Sequence, residues 1–281
     1  MPDLRAQHVT LGYAGRPVIR DMSVAFPGGA VTVIVGANAC GKSTLLKATA
    51  RLLAPESGQV LLDGKSVHQL PTRQLARRLG MLPQSPVTPE GLTVRDLVGR
   101  GRFPHQGLFA YWRDEDERAV TEALTLTGTL DLQDRPVDEL SGGQRQRAWI
   151  AMALAQQTDI LLLDEPTTFL DIAHRLEVLD LLHRLNRERG TTIIMVLHDL
   201  NEASRYADHL IALRDGQVEA AGAPGQVVTP ALVQKVFAID SVVIPDPLTG
   251  SPMVIPRSAA GPASATTEPA VAGRRQEFQD G

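Results

Sequence analysis

The chain has 281 residues, 43% of them hydrophobic and 21% charged, the balance of an ordinary globular protein with length for one large domain or a domain and a subdomain. Its 28 basic residues against 32 acidic ones leave a formal charge of −4, which argues against a nucleic-acid partner. The single cysteine, Cys40, makes no internal disulfide; the opening MPDLRAQHVTLGYAG lacks the apolar core of a signal peptide, and no run of about 18 apolar residues is present to cross a bilayer, so a cytosolic chain is expected.

In chain order, HVTLGY (8–13) alternates and RPVIRDMSVAF follows, predicting strands before a turn at Pro27-Gly28-Gly29. VTVIV (31–35) predicts a buried strand that runs into GANACGKST (36–44), and the apolar spacing of TLLKATARLL predicts a helix over 44–53. PESGQVLLDG (55–64) predicts a turn and a further strand. From about residue 86 to 155 helical patterns dominate, as in RDEDERAVTEALTLTG (113–128). Near-continuous apolar runs return at DILLLDE (159–165) and TTIIMVLHD (191–199), the texture of buried parallel strands, with an amphipathic helix over 172–188 between them. The fold class is therefore α/β, interrupted by a helical insert. SVVIPDPLTGSPMVIPR (241–257) predicts a hairpin, and the small, polar, Pro/Gly-rich stretch 258–281 reads as a disordered tail.

Three motifs carry chemistry. From Gly36 the spacing is G-x-x-x-x-G-K-S, the P-loop pattern. Glycines let backbone N–H groups close around an anion, and the following helix points its positive end at the same place. Lys42 reaches the β and γ phosphates, and the Ser43 hydroxyl serves Mg²⁺. In ILLLDEP, Asp164 and Glu165 end a buried strand, where Asp164 can hold a metal's water shell and Glu165 can orient or deprotonate an attacking water. In LSGGQRQR (140–147), Ser141 stands where an N-cap belongs and two glycines follow. That is either a second anion-binding helix end or an ordinary Ser-capped helix. Cys40, inside the loop, reads as a reactive thiol lowered by the helix end or, preferably, as a small residue that fits. His68, His105, His174, His183 and His209 are scattered without metal-ligand spacing.

These motifs in this order resemble the ATP-binding-cassette ATPases, over about Leu4 to Arg257, with LSGGQ as the family signature. The resemblance implies a P-loop NTPase (RecA-like) core at 1–85 and 156–257, with an N-terminal antiparallel β subdomain. It also implies an inserted α-helical signature subdomain at 86–155. The implied reaction is hydrolysis of ATP with Mg²⁺ by a head-to-tail homodimer that sandwiches two nucleotides. ATP would be held by Gly36, Ala37, Asn38, Ala39, Cys40, Gly41, Lys42, Ser43 and Thr44, and from the opposite subunit by Ser141, Gly142, Gly143 and Gln144. Asp171 resembles the aspartate of the subunit-interface loop. Tyr13 resembles the aromatic that stacks on adenine, though a core or strand tyrosine is a second reading. Glu165, His198, Lys42 and Gln84 form the implied catalytic set, His198 as the switch histidine at the γ-phosphate. Ser43, Gln84 and Asp164 would hold Mg²⁺, partly through water.

There is one cassette, with neither a fused membrane span nor a long coiled-coil insertion. TVRDLVGRGRFPHQGLFAYWRDEDERAV (93–120), EPTTFLDIAHRLEVLDLL and HDLNEASRYADHLIALRDG resemble the ATPases of iron-siderophore, haem and cobalamin importers, and most of all the ferric-siderophore branch. This implies a peripheral subunit at the cytoplasmic face of the membrane, energising uptake through a separate multi-spanning permease served by a substrate-binding protein. Haem or cobalamin import, or a soluble assembly ATPase, are the alternatives. The aromatic segment Phe103, Phe109, Tyr111 and Trp112 reads either as a groove for a cytoplasmic helix of the permease or as internal packing.

Overall fold

The computed structural model of the chain describes residues 1–86, 90–107, 111–168 and 170–257. The expected tail at 258–281, and Phe109 of the aromatic segment, lie outside the described residues. Strands β1 (Leu4–Tyr13) and β2 (Arg16–Phe26) form a hairpin whose two-residue connection, Ala14-Gly15, has φ of 49° and 75°. Positive φ at both positions matches the right-handed twist of the strands. Next come β3 (Val31–Gly36), α1 (Lys42–Thr49), β4 (Ser57–Leu62), β5 (Lys65–Ser66), α2 (Thr72–Ala76) and β6 (Leu79–Leu82). A helical stretch follows: α3 (Val94–Gly99), a 3₁₀ turn (Arg100–His105), α4 (Asp114–Leu126) and α5 (Gly142–Ala155). The chain then alternates through β7 (Ile160–Asp164), α6 (Ile172–Arg189), β8 (Thr192–Val196), α7 (Leu200–Tyr206), β9 (His209–Arg214) and β10 (Gln217–Gly222). It closes with α8 (Pro224–Val227), α9 (Pro230–Phe237) and the hairpin β11 (Ser241–Pro245) and β12 (Pro252–Pro256).

The strands make a four-stranded antiparallel sheet, β2-β1-β4-β5, and a six-stranded sheet, β10-β9-β3-β8-β7-β6, parallel except for β10. Successive side chains of the central strands enter two different cores. Ile34, Leu162 and Ile194 pack toward β1, β2, β4 and α1. Val33, Val35, Leu161, Leu163, Ile193 and Met195 pack toward α5 and α6. Apolar cover on both faces is why these strands read as unbroken apolar runs.

Helix α1 differs from the sequence expectation at both ends: it starts at Lys42 and stops at Thr49, because Arg51 takes a φ of 62°. The Arg51 guanidinium leaves the helix line to donate to the Leu70 carbonyl at 2.7 Å and the Thr72 hydroxyl at 2.8 Å. A tertiary anchor thus overrides helical spacing.

The helical stretch is held together by an ion pair that its composition does not announce. Arg102 is 1% exposed; its Nε donates to Asp116 at 2.9 Å, and its Nη1 donates to the Ala155 carbonyl at 2.8 Å and to Gln157 at 2.9 Å. Burial by itself would push the Asp116 carboxyl up, but Arg102 and the Arg113 backbone N–H bring it below the usual carboxylate range. Arg102→Met strands a buried carboxylate and is expected to cost about 3–5 kcal/mol in urea unfolding at pH 7, whereas Arg102→Met with Asp116→Leu should cost much less. Because the folded pKa of Asp116 is depressed, its contribution is complete above the unfolded carboxylate range near pH ~4 and is lost as pH falls through the folded value. The penalty of the single variant should shrink over that acid range.

Candidate active site

Strand β3 ends at Gly36 on the edge of the sheet where β7 and β8 also end. Gly36 has φ 152°, and a Cβ there would stand 2.3 Å from the Leu213 carbonyl oxygen and 2.7 Å from Cys40 Sγ. Gly41, the N-cap of α1, has φ 107° and would press a Cβ to 3.0 Å from Ile19. Only glycine gives the loop both its turn and its close contact with neighbouring backbone. Lys42 is buried and lies across the loop it follows, with Nζ donating to the Gly36 carbonyl at 2.9 Å and the Ala37 carbonyl at 2.8 Å. Its cation therefore sits over the loop at the α1 N-terminus, a place suited to an anion.

Cys40, within this loop, is buried, and burial pushes its thiol above the ordinary range against the opposing pull of Lys42. Desolvation opposes the thiolate, which goes against the reactive-thiol alternative and with the preferred reading of Cys40 as a small residue that fits.

Asp164 ends β7, is buried, and accepts a hydrogen bond from the Ser43 hydroxyl at 2.9 Å. Burial pushes its carboxyl up; the Ser43 hydrogen bond opposes this, and the charge of Glu165 adds to it. Glu165 follows with φ 53°, a left-handed conformation costly for a residue with a side chain. Its Oε2 accepts from Gln84 Nε2 at 2.6 Å and from Thr168 Oγ1 at 3.2 Å, while Oε1 lies 2.5 Å from His198 Nε2. These residues face an open cavity of about 520 Å³ lined by Val18, Asn38, Ala39, Gly41, Lys42, Ser43, Thr44, Gln84, Glu165 and His198. Val18 and Thr168 were not singled out in the sequence. The β2 pattern does mark Val18 as a strand residue, and Thr168 closes the EPTT run, but neither type announces a site.

Other expected residues lie away from this cavity. Tyr13 stands at the end of β1, 47% exposed, and is not a core tyrosine. Ser141 caps α5 in a reciprocal box, its Oγ accepting from Gln144 N–H at 3.3 Å and its own N–H donating to Gln144 Oε1 at 3.1 Å. Ser141 and Gly142 are exposed, and Gly143 and Gln144 are half-buried. Asp171 caps α6 from the surface, and the backbone N–H and ring of His174, at 2.9 and 2.8 Å, hold its carboxyl below the usual range.

Among the described residues no group of three or more His, Cys, Asp or Glu side chains is spaced to hold a metal ion. Ser43 and Asp164 instead offer two adjacent hard oxygens, a set that fits Mg²⁺ when phosphate and water complete the shell. A basic phosphate cradle beside a caged carboxylate is an arrangement that can bind a nucleoside triphosphate and direct water at its terminal phosphate.

Residues 19–168 match the ABC transporter family. Over 264 residues the chain is 51% identical to the ferric enterobactin transport ATP-binding protein FepC of Escherichia coli, covering 94% of this chain and 97% of that one. The structure of a metal-chelate type ABC transporter in an inward-facing conformation matches with a TM-score of 0.78 at 25% identity, over 92% of this chain and 98% of that one. A bacterial ABC transporter cassette solved as a dimer matches with a TM-score of 0.71 at 29% identity, over 78% and 98%. The chain belongs to the ABC transporter family, as an ATP-binding, ATP-hydrolysing subunit.

Proposed function

We propose that this chain powers import of an iron-siderophore complex, as the peripheral ATPase of a separate multi-spanning permease at the cytoplasmic face, supplied by a substrate-binding protein. The observation that carries the cargo is the 51% identity, over nearly the whole of both chains, to a protein of ferric enterobactin transport. Among the described residues no helix is long and apolar enough to cross a membrane. The nucleotide core comprises 1–85 and 156–257, and the helical signature part 86–155.

In this reading Lys42 and the amides from Gly36 to Thr44, Cys40 among them, neutralise the phosphates, and Tyr13 stacks on adenine from its exposed strand end. Ser43, Asp164 and Gln84 hold Mg²⁺, which when bound neutralises charge on the phosphate oxygens. Glu165 polarises the attacking water, kept in place by Gln84, Thr168 and His198, and His198 contacts the γ-phosphate. Ser141, Gly142, Gly143 and Gln144 of a second copy close the same nucleotide, with Asp171 at the junction. Phe103 and Tyr111, 62% and 90% exposed, form the permease contact, while Trp112 leans on Gly99 and donates to Glu117.

Three outcomes are expected. Purified Glu165→Gln should lose ~10²–10⁴ in ATP turnover while binding ATP as the parent does; near-normal turnover would remove Glu165 from its role. In cells lacking this chain, uptake of a labelled ferric siderophore should return with the wild-type gene and not with Glu165→Gln. Loss of haem or cobalamin uptake instead would reassign the cargo, and uptake that persists without the chain would overturn the transport reading. Phe103→Ala with Tyr111→Ala should spare ATP binding by the isolated subunit and abolish uptake, whereas a parallel loss of folding would assign those rings to internal packing.

A further inference from the structure

Gln146 is a buried polar side chain that the catalytic set does not include. It lies in the first turns of α5, 6% exposed, and its Nε2 donates to the Pro166 carbonyl at 3.0 Å. Pro166 directly follows Glu165, whose backbone is held at φ 53°. A left-handed residue persists only where its surroundings over-determine it. Two hydrogen bonds do so from inside the turn: Thr168 N–H to the Glu165 carbonyl at 3.3 Å, and the Thr168 hydroxyl to the Glu165 carboxylate at 3.2 Å. Gln146 supplies a hold from outside it. The same face of α5 carries Gly143, three residues earlier, where an added Cβ would stand 3.3 Å from Leu170 of the same loop. The start of α5 therefore lies along the segment that follows Glu165, and one buried amide pins the peptide next to the carboxylate.

We infer that Gln146 is a positioning residue for ATP hydrolysis, fixing the strained Glu165 turn to the signature helix through the Pro166 carbonyl. This rests on the proposed role of Glu165. Without the amide, the Pro166 carbonyl loses its partner and the Glu165 peptide gains freedom to leave the left-handed region. Binding of nucleotide does not depend on that rotation; the aim of the carboxylate at water does.

The test is steady-state and single-turnover ATPase kinetics on the full chain, with thermal melting as a folding control. Gln146→Met removes the donor at similar volume, and Gln146→Glu is isosteric but sets an acceptor against the carbonyl. Both are expected to lower kcat about 10-fold with the KM for ATP within twofold of the parent. In a Glu165→Gln background, neither should lower the single-turnover rate further. Unchanged kcat in a folded variant, a fall in activity that only tracks the unfolded fraction, or a full extra 10-fold loss on top of Glu165→Gln would each overturn the inference. If Glu165→Gln itself turns over normally, the role of Glu165 fails and this inference with it. If Glu165→Gln is slow while both Gln146 variants are normal, only the inference fails.

Discussion

Everything at the site depends on the parallel register of three neighbouring strands. Ile34 of β3, Val196 of β8 and Asp164 of β7 lie in one row across the sheet. Parallel strands all deliver their C-termini to the same edge, so whatever follows that row is brought together whatever its distance in sequence. Gly36 opens the phosphate loop two residues after Ile34, Glu165 comes directly after Asp164, and His198 comes two after Val196. Gln84 enters from the neighbouring strand, since Leu82 pairs with Leu163. The Ser43–Asp164 hydrogen bond then crosses the site and fixes the α1 terminus against the end of β7.

On that scaffold the polar groups are arranged to limit the cost of burying charge. An isolated carboxylate as enclosed as Glu165, 8% exposed, would be expensive to keep ionised. Its two oxygens instead meet Gln84, Thr168 and His198, each from a different segment. Lys42 is handled in the same way, its ammonium shared between the Gly36 and Ala37 carbonyls. Both groups have hydrogen-bond partners yet still face the cavity. Arg102 and Asp116 show the opposite use of the same chemistry: sealed from solvent and bonded to the Ala155 carbonyl, they serve only to hold the helical insert.

The parts legible in the sequence were those where chemistry demands a residue type at a fixed spacing. The loop from Gly36 to Thr44 and the acid pair after ILLL each combine a strand end with distinctive polar residues, whereas His198 was singled out only by the family resemblance. The α/β alternation was legible because both sheet faces are covered, which leaves apolar runs such as Leu161–Leu163 unbroken. What stayed hidden depends on contacts between segments. Nothing in GRFP or RDEDER pairs Arg102 with Asp116, since each segment reads as ordinary surface charge. Gln146 looks like one more polar residue of QRQR until α5 is laid against Pro166. The end of α1 was obscured for the same reason: Arg51 acts through Leu70 and Thr72, distant in the chain.

The exposure of the signature end accords with the proposed division of the site between two copies. In this chain the cavity holds the phosphate loop, the acid pair and His198, whereas Ser141 and Gly142 lie on the surface at another helix end. The capping box prepares that end without exhausting it. The Ser141 oxygen accepts from Gln144, which leaves its O–H to donate, and the first turn of α5 carries N–H groups that the helix itself cannot pair. A helix terminus built this way can take an anion, and in the proposed pair the loaded phosphate loop of a second copy would present one. The head-to-tail pairing proposed above would satisfy both surfaces at once and give two equal sites by symmetry. In the proposed pair, nucleotide would be part of the contact between subunits, and release of the cleaved phosphate would then remove charge from the interface, which is how the proposed chemistry at Glu165 would move whatever is attached to the helical insert.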